Sequence, residues 1–293
     1  MKKVSLIVFI SLMATGLVIG VIGLAMYSFD FSRVRADILR EGHYESAYIT
    51  HTNTPTALNL NVRSQNVVIA QGDEFRVEYY QNMHYSRISY NIDNDVFTFT
   101  YSRRFVFTLF EATPRRFRTI NVTVPTDFDG NINIYARSGN VNISNIDADK
   151  VNIDIRSGNT TITNMDASSI NVQGRAGNIT LNDVNVDTTI TTYTRSGNTN
   201  INDATGTTVT SKSRSGNIRM IGLEFTNITT DIRSGNASVL GVRGNVEDYR
   251  ITMSNRSGNS TLNGSRVSGT VSHGTNGTII MTTRSGNNTL RFI

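Results

Sequence analysis

From residue 131 onward, apolar and polar positions alternate with period two, in short arms separated by a Ser-Gly pair. Val151-Asn152-Ile153-Asp154-Ile155 is a typical arm. This pattern predicts strands with one face inward and one outward. The arms recur at a near-constant step. The tetrapeptide Arg-Ser-Gly-Asn begins at Arg137, Arg156, Arg195, Arg214, Arg233, Arg256 and Arg284, and Arg175 opens an Arg-Ala-Gly-Asn variant. Successive arginines are 19, 19, 20, 19, 19, 23 and 28 residues apart. Five residues before each stand Ile132, Val151, Ile170, Ile190, Val209, Ile228, Ile251 and Ile279. Six residues after each stand Ile143, Ile162, Leu181, Ile201, Met220, Val239, Leu262 and Leu290. Nine residues after, in the six regular units, come Ile146, Met165, Val184, Ala204, Leu223 and Val242.

A 19-residue unit holding two strands and two corners cannot bury its own apolar face, so it must stack on copies of itself. The predicted fold class is all-β: a single-stranded β-solenoid, or β-helix, of about 19-residue coils stacked about 4.8 Å apart. The motif glycines Gly139, Gly158, Gly177, Gly197, Gly216, Gly235, Gly258 and Gly286 suit a corner with positive φ. The asparagines after them, Asn140, Asn159, Asn178, Asn198, Asn217, Asn236, Asn259 and Asn287, can hydrogen-bond the same residue one coil away, forming a ladder.

A degenerate ninth copy, Arg63-Ser64-Gln65-Asn66, has Leu58 and Leu60 before it and Val67 and Ile69 after it. The 73 residues between Arg63 and Arg137 make a large insertion crowded with Phe and Tyr. Alternation over 75–79, 88–92, 96–101 and 120–124 predicts antiparallel strands. Residues 55–130 are therefore expected to form a degenerate first coil and an aromatic β-rich cap, with the regular solenoid over 131–293. An uncapped solenoid end would invite strand addition.

The N-terminus has a different pattern. Lys2 and Lys3 precede an apolar run from Val4 to Tyr27 that carries no charge. About 20 apolar residues suffice to span a membrane, and a cleavable signal has a shorter core. Residues 4–27 are thus expected to be a transmembrane signal anchor, with 1–3 cytoplasmic; cleavage after Ala25 is the alternative. The lysines predict a single-pass cell-membrane protein with its N-terminus inside and its C-terminal domain extracytoplasmic. Residues 28–54 read as a juxtamembrane helix or linker.

Composition narrows the chemistry. The chain of 293 residues has no Cys and four His, which excludes disulfides, thiolate metal sites and a Cys nucleophile. Charged residues make only 17%, and the net charge is +5, which permits an anionic partner without demanding one. No metal-ligand spacing, glycine-rich phosphate loop or Ser-His-Asp arrangement stands out, so neither cofactor nor metal is expected.

Together, the Lys2-Lys3 start, one apolar span, the Phe29-Asp30-Phe31-Ser32 junction and the Ser-Gly-Asn β-repeats resemble the "putative adhesin" β-strand-repeat family of bacterial envelope proteins. Its members have no assigned function, and anchored ones include the LiaG-like proteins of Gram-positive envelope-stress systems. The resemblance spans nearly the whole chain; Gln65, Ala176 and the irregular final 37 residues depart from the repeat. It implies a membrane-anchored extracytoplasmic solenoid with an adhesin-like or stress-response role, and it carries no enzymatic residues over.

Two constellations remain as candidate sites. If the coils register, Arg137, Arg156, Arg175, Arg195, Arg214, Arg233, Arg256 and Arg284 stack along one edge. Like charges at that spacing repel by about 1 kcal/mol per neighbouring pair in high dielectric. An anionic cell-wall polymer or lipid headgroups would offset this through charge-assisted hydrogen bonds. The bland reading is that each arginine bonds corner carbonyls, with Asp154 and Asp231 relieving part of the charge. The second candidate is a lipid interface of Arg103, Arg104, Phe105, Phe107, Phe110, Arg115, Arg116, Phe117 and Arg118. Its bland reading is a hairpin whose aromatics pack in the cap.

The expected function is non-enzymatic: an envelope-associated binding or adhesin-like module. The alternative is a structural or signalling partner of another membrane protein. A polysaccharide-active β-helix enzyme is a remote alternative, because Asp147, Asp166, Asp183, Asp187 and Asp203 fall near second corners, where Asp is a usual turn residue. Nucleic acid is not expected as a partner.

Overall fold

A computed structural model of the chain describes residues 2–26, 44–82, 86–103 and 117–293. Among the described residues are one α-helix, Lys2–Met26, a 3-10 turn at Val246–Asp248, and 21 strands joined in one continuous sheet. The chain is an all-β solenoid from residue 44 onward.

The expected membrane span needs correction. A span needs about 20 apolar residues. Among the described residues no helix is long and apolar enough to cross a membrane. The single-pass, N-inside placement read from residues 4–27 therefore does not stand. The part of the expected juxtamembrane helix or linker up to residue 43 lies outside the described residues. Tyr44–His51, which fell inside the expected linker, is a strand paired antiparallel with Phe75–Asn82.

One coil shows how the rest are built. Ile170 and Val172 point inward before the Arg175 corner, and Ile179 and Leu181 point inward after it. Asp183 then turns the chain with φ 51°, and Val184 and Val186 close the third side. The next coil repeats this one step away, with Ile170 opposite Ile190 and Leu181 opposite Ile201 in parallel register. The second corner uses Asn145, Asn164, Asp183 and Asp203 in the left-handed region, and Gly222 and Gly241 in later coils. Asn and Asp tolerate that conformation better than other side chains. This accounts for Asp183 and Asp203 as turn residues. The extra residue of the one 20-residue step is a bulge between Val186 and Thr189.

The interior is less apolar than the repeat suggests. Thr192, Thr194, Ser211 and Ser213 are buried at inward positions. Hydroxyl pairs between stacked coils satisfy them: Thr192 Oγ1 donates to Ser211 Oγ at 2.7 Å, and Thr194 Oγ1 to Ser213 Oγ at 3.1 Å. A buried hydroxyl without a partner would cost about 1–3 kcal/mol.

At both ends the spatial order of coils departs from chain order. Near the N-terminal end, Ala57–Val62 lies between Val96–Arg103 on one side and Asn131–Ala136 on the other, all parallel. Asn66–Gln71 lies likewise between Thr119–Val124 and Val141–Ser144. The strands at 96–103 and 119–124, expected to be only antiparallel insertion, thus form the outermost parallel coil. Their outer partners are antiparallel: Ser86–Asp93 on the first and Phe75–Asn82 on the second. Aromatics fill this cap, with Phe75 edge-on to Phe97 at 4.9 Å and Tyr79 against Phe99 at 5.3 Å between ring centroids.

The C-terminal end mirrors this arrangement. Tyr249–Ser257 does not pair with Ile218–Ser234. Instead Gly277–Ser285, later in the chain, inserts between them and is parallel to both. The 23-residue step carries the chain past an empty layer by way of the 3-10 turn. The 28-residue step brings it back through the antiparallel strands Ser265–Val267 and Gly269–His273. The edge they cover would otherwise be an exposed template for strand pairing.

Candidate functional site

The corner that carries the Arg motif is set by its glycine. Gly177 has φ +126°, and a Cβ there would lie 1.9 Å from the carbonyl oxygen of Gly158 in the coil below. Gly158 would meet Gly139 in the same way at 1.8 Å. The coils approach so closely at this edge that no side chain fits. The following asparagine locks the stack. The backbone N–H of Asn159 donates to Asn140 Oδ1, that of Asn178 to Asn159 Oδ1, and that of Asn198 to Asn178 Oδ1, each at 2.9 Å. The ladder starts at Asn66 and runs on through Asn217, Asn236 and Asn287 to Asn259. The bonds therefore run from backbone to side chain. Their order repeats the coil exchange, with Asn287 between Asn236 and Asn259.

This corner aligns the arginines. Strand register puts Arg63, Arg137, Arg156, Arg175, Arg195, Arg214, Arg233, Arg284 and Arg256 in one column in that spatial order. Eight steps of about 4.8 Å make a stripe about 38 Å long. All nine are exposed. Among the described residues, ion pairs join Arg76 to Glu74 and Glu78, Lys150 to Asp149, and Arg243 to Glu224, and none involves the column. Among the described residues no bond joins a column guanidinium to a corner carbonyl, and no ion pair joins Asp154 to Arg156 or Asp231 to Arg233. Arg63, noted in the sequence as a degenerate motif, belongs to the column as fully as the other eight.

The basic aromatic candidate divides differently. Arg104, Phe105, Phe107, Phe110, Arg115 and Arg116 lie outside the described residues, and so does the side chain of Arg103. Phe117, half-buried, stacks on Tyr44 with ring centroids 4.7 Å apart and also contacts Tyr80 at 5.2 Å. The backbone carbonyl of Arg118 accepts from Asn66 N–H.

A groove of about 410 Å³ lies beside the N-terminal part of the column. Asn59, Asn61, Thr98, Thr100, Asn133, Tyr135, Asn152, Asp154, Asn171 and Gln173 line it with outward side chains. The sequence hides this groove, because Asn59 and Asn133 are 74 residues apart and meet only through coil exchange. What the sequence does carry is the offset: these residues stand four and two positions before the column arginines and their register partners.

The third side of the coils is acidic. Asp129, Asp147, Asp149, Asp166 and Asp187 line a groove of about 710 Å³ there, after the second corners. Asn185 Nδ2 donates to Asp166 Oδ1 at 2.8 Å, and Lys150 pairs with Asp149 at 3.7 Å. Among the described residues no group of three His, Cys, Asp or Glu could hold a metal ion. Near the C-terminal end, burial pushes the Tyr249 phenol above its ordinary pKa, helped by the charges of Asp248 and Glu224. Its hydroxyl donates to the Phe225 carbonyl at 3.0 Å.

Comparison with known proteins agrees with the architecture. No curated protein matches the chain. Among solved structures, a "putative lipid binding protein" from Parabacteroides distasonis is 15% identical, with 85% of this chain and 97% of that one covered and a TM-score of 0.52. A "putative adhesin" from Bacteroides fragilis is 14% identical, covering 85% and 97%, with a TM-score of 0.46. At these identities the first likeness speaks for the fold alone, and the second carries no further weight. The family model described as Toastrack DUF4097 matches residues 56–292, from the first coil to the last. This chain therefore belongs to the Toastrack DUF4097 family.

Proposed function

We propose that the chain is a non-enzymatic, adhesin-like binding module whose arginine column holds an extended polyanion. One observation carries the reading: nine exposed arginines stand at one-coil steps and make no side-chain ion pair among the described residues. A folded protein gains nothing from such a stripe on its own, since neighbouring guanidiniums repel. A polymer with regularly spaced phosphate or carboxylate groups would relieve the repulsion and accept bidentate hydrogen bonds along the column. The name of the structural neighbour with a TM-score of 0.52, a lipid binding protein, fits a binding role.

Polyphosphate tests this directly. The full chain should bind it at low salt and lose affinity steeply as salt rises, because exposed charge pairs are screened. Changing Arg156, Arg195, Arg214 and Arg233 to Gln removes four contacts worth about 0.2–1 kcal/mol each, so affinity should fall about tenfold or more. The thermal unfolding midpoint should hardly move, since these side chains are exposed. Binding that ignores both salt and the four substitutions would rule the column out as the site.

A further inference from the structure

The column is uniform, but the surface beside it is not. In coils further along, the rows beside the arginines carry Thr191, Thr210 and Thr229, with no amide ladder. In the first coils the same row is Asn59, Asn133, Asn152 and Asn171. Asn152 Nδ2 donates to Asn133 Oδ1 at 3.1 Å, and Asn133 Nδ2 to Asn59 Oδ1 at 2.9 Å. The amides are thus held in fixed orientation along the floor of the groove, each with hydrogen-bonding capacity left over. Asn171, next in the row, lines the groove without joining the ladder, and its side-chain oxygen has no partner. Beside the amides stands Tyr135, 47% exposed, with its ring on the surface.

Three chemistries that suit a single ligand converge here, and the Asp154 carboxylate, register neighbour of Tyr135, opposes part of the arginine charge. Fixed amides offer donors and acceptors together, which is what a row of hydroxyl groups needs. An exposed aromatic ring offers a flat apolar face, which suits the C–H face of a sugar ring. Arg137 and Arg156, in the same coils as Tyr135 and Asn152, offer charge to an acidic substituent. Polyphosphate, with neither hydroxyl groups nor an apolar ring face, would use only the arginines.

We infer that this groove is a subsite for an acidic glycan. Its sugar rings lie against Tyr135 and the Asn133–Asn152 amides, and their carboxylate or phosphate groups face Arg137 and Arg156. The inference rests on the reading of the column as a polyanion site, and it names the ligand class of that site.

The test uses the full chain and three probes: polygalacturonate fragments, polyphosphate and dextran. Polygalacturonate carries sugar and acid, polyphosphate acid alone, and dextran sugar alone. Tyr135→Ala, and Tyr135→Ala combined with Asn152→Ala, should weaken polygalacturonate binding about tenfold. Either variant should leave polyphosphate affinity within about twofold, because the column itself is untouched. Dextran should bind far more weakly than polygalacturonate. The single substitution is at an exposed position, so it keeps the test sound if the double variant unfolds. Equal losses for polygalacturonate and polyphosphate, or no loss for either, would overturn the subsite while leaving the column reading in place. Absence of binding to both polyanions would overturn both.

Discussion

Gly177→Ala should lower the stability of the solenoid by about 3–5 kcal/mol, read as a fall in the urea midpoint. Two independent costs add. The first is backbone strain: φ of +126° is a conformation that L side chains rarely adopt, and it costs about 1–3 kcal/mol. The second is overlap, because the new Cβ would sit 1.9 Å from the Gly158 oxygen and 2.6 Å from its carbon. Relieving such a contact in a packed structure costs about 1–3 kcal/mol more. The obstacle is backbone, so no side chain can rotate away. Domains are typically stable by only about 5–15 kcal/mol, so the loss is a large part of the whole. Three residues away the same substitution should do little. A Cβ at Gly174 would make ordinary contacts, 3.8 Å to Ile155 Cγ2 and 4.0 Å to Thr194 Cγ2, at a φ outside the positive region. Gly174→Ala should be neutral or stabilising by up to about 1 kcal/mol, because alanine loses less chain entropy on folding. Equal midpoints for the two variants would mean that the coils do not meet at the corner as described.

Truncation after residue 276 should unfold the C-terminal end as a unit. In a solenoid stacked in chain order, removing the last coil would merely trim the rod. Here residues 277–293 form the layer between Ile218–Ser234 and Tyr249–Ser257. Ile279, Met281 and Leu290 are fully buried in that layer. Their loss alone removes about 5–9 kcal/mol of apolar burial, taking about 1.5–3 kcal/mol per side chain. The coil at 249–262 then has no parallel neighbour. Hydrogen exchange should show residues 243–276 unprotected, while 131–215 keep native protection, because coils in such arrays interact chiefly with their neighbours. Protection of 249–262 in the truncated chain would show that this coil can dock directly on 218–242.

The stack was legible because its signal lies in residues of one type at one offset. Isoleucine, valine, leucine or, once, methionine stands five before and six after each Arg, and the positive-φ corner demands Gly. Buried Thr192 and Ser211 escaped notice because a hydroxyl at an inward position looks like an outward one until its partner in the next coil is known. The coil exchange escaped for a related reason. Steps of 23 and 28 residues read as terminal decay, whereas they are the lengths needed to skip a layer and return to it. At the other end, Phe97 and Phe99 hold the inward places opposite Leu58 and Leu60, but their coil lacks the Ser-Gly corner that marks the rest. The arginine column was visible as spacing. Its lack of ion-pair partners was not, since Asp154 and Asp231 lie two residues from their arginines and still do not pair with them. The glycan groove required the three-dimensional neighbours of Asn59. The span read into residues 4–27 rested on apolar length alone, and the described helix does not sustain it.

The central claim is that the arginines act as one continuous site about 38 Å long. It is tested most directly by titrating the full chain with polyphosphates of increasing defined length at low salt. Affinity per molecule should rise steeply with length until the polymer spans the column, and then level off as one chain saturates one protein. Affinity that depends only on total phosphate, with no break near the column's length, would contradict a continuous site and reduce the arginines to separate surface charges.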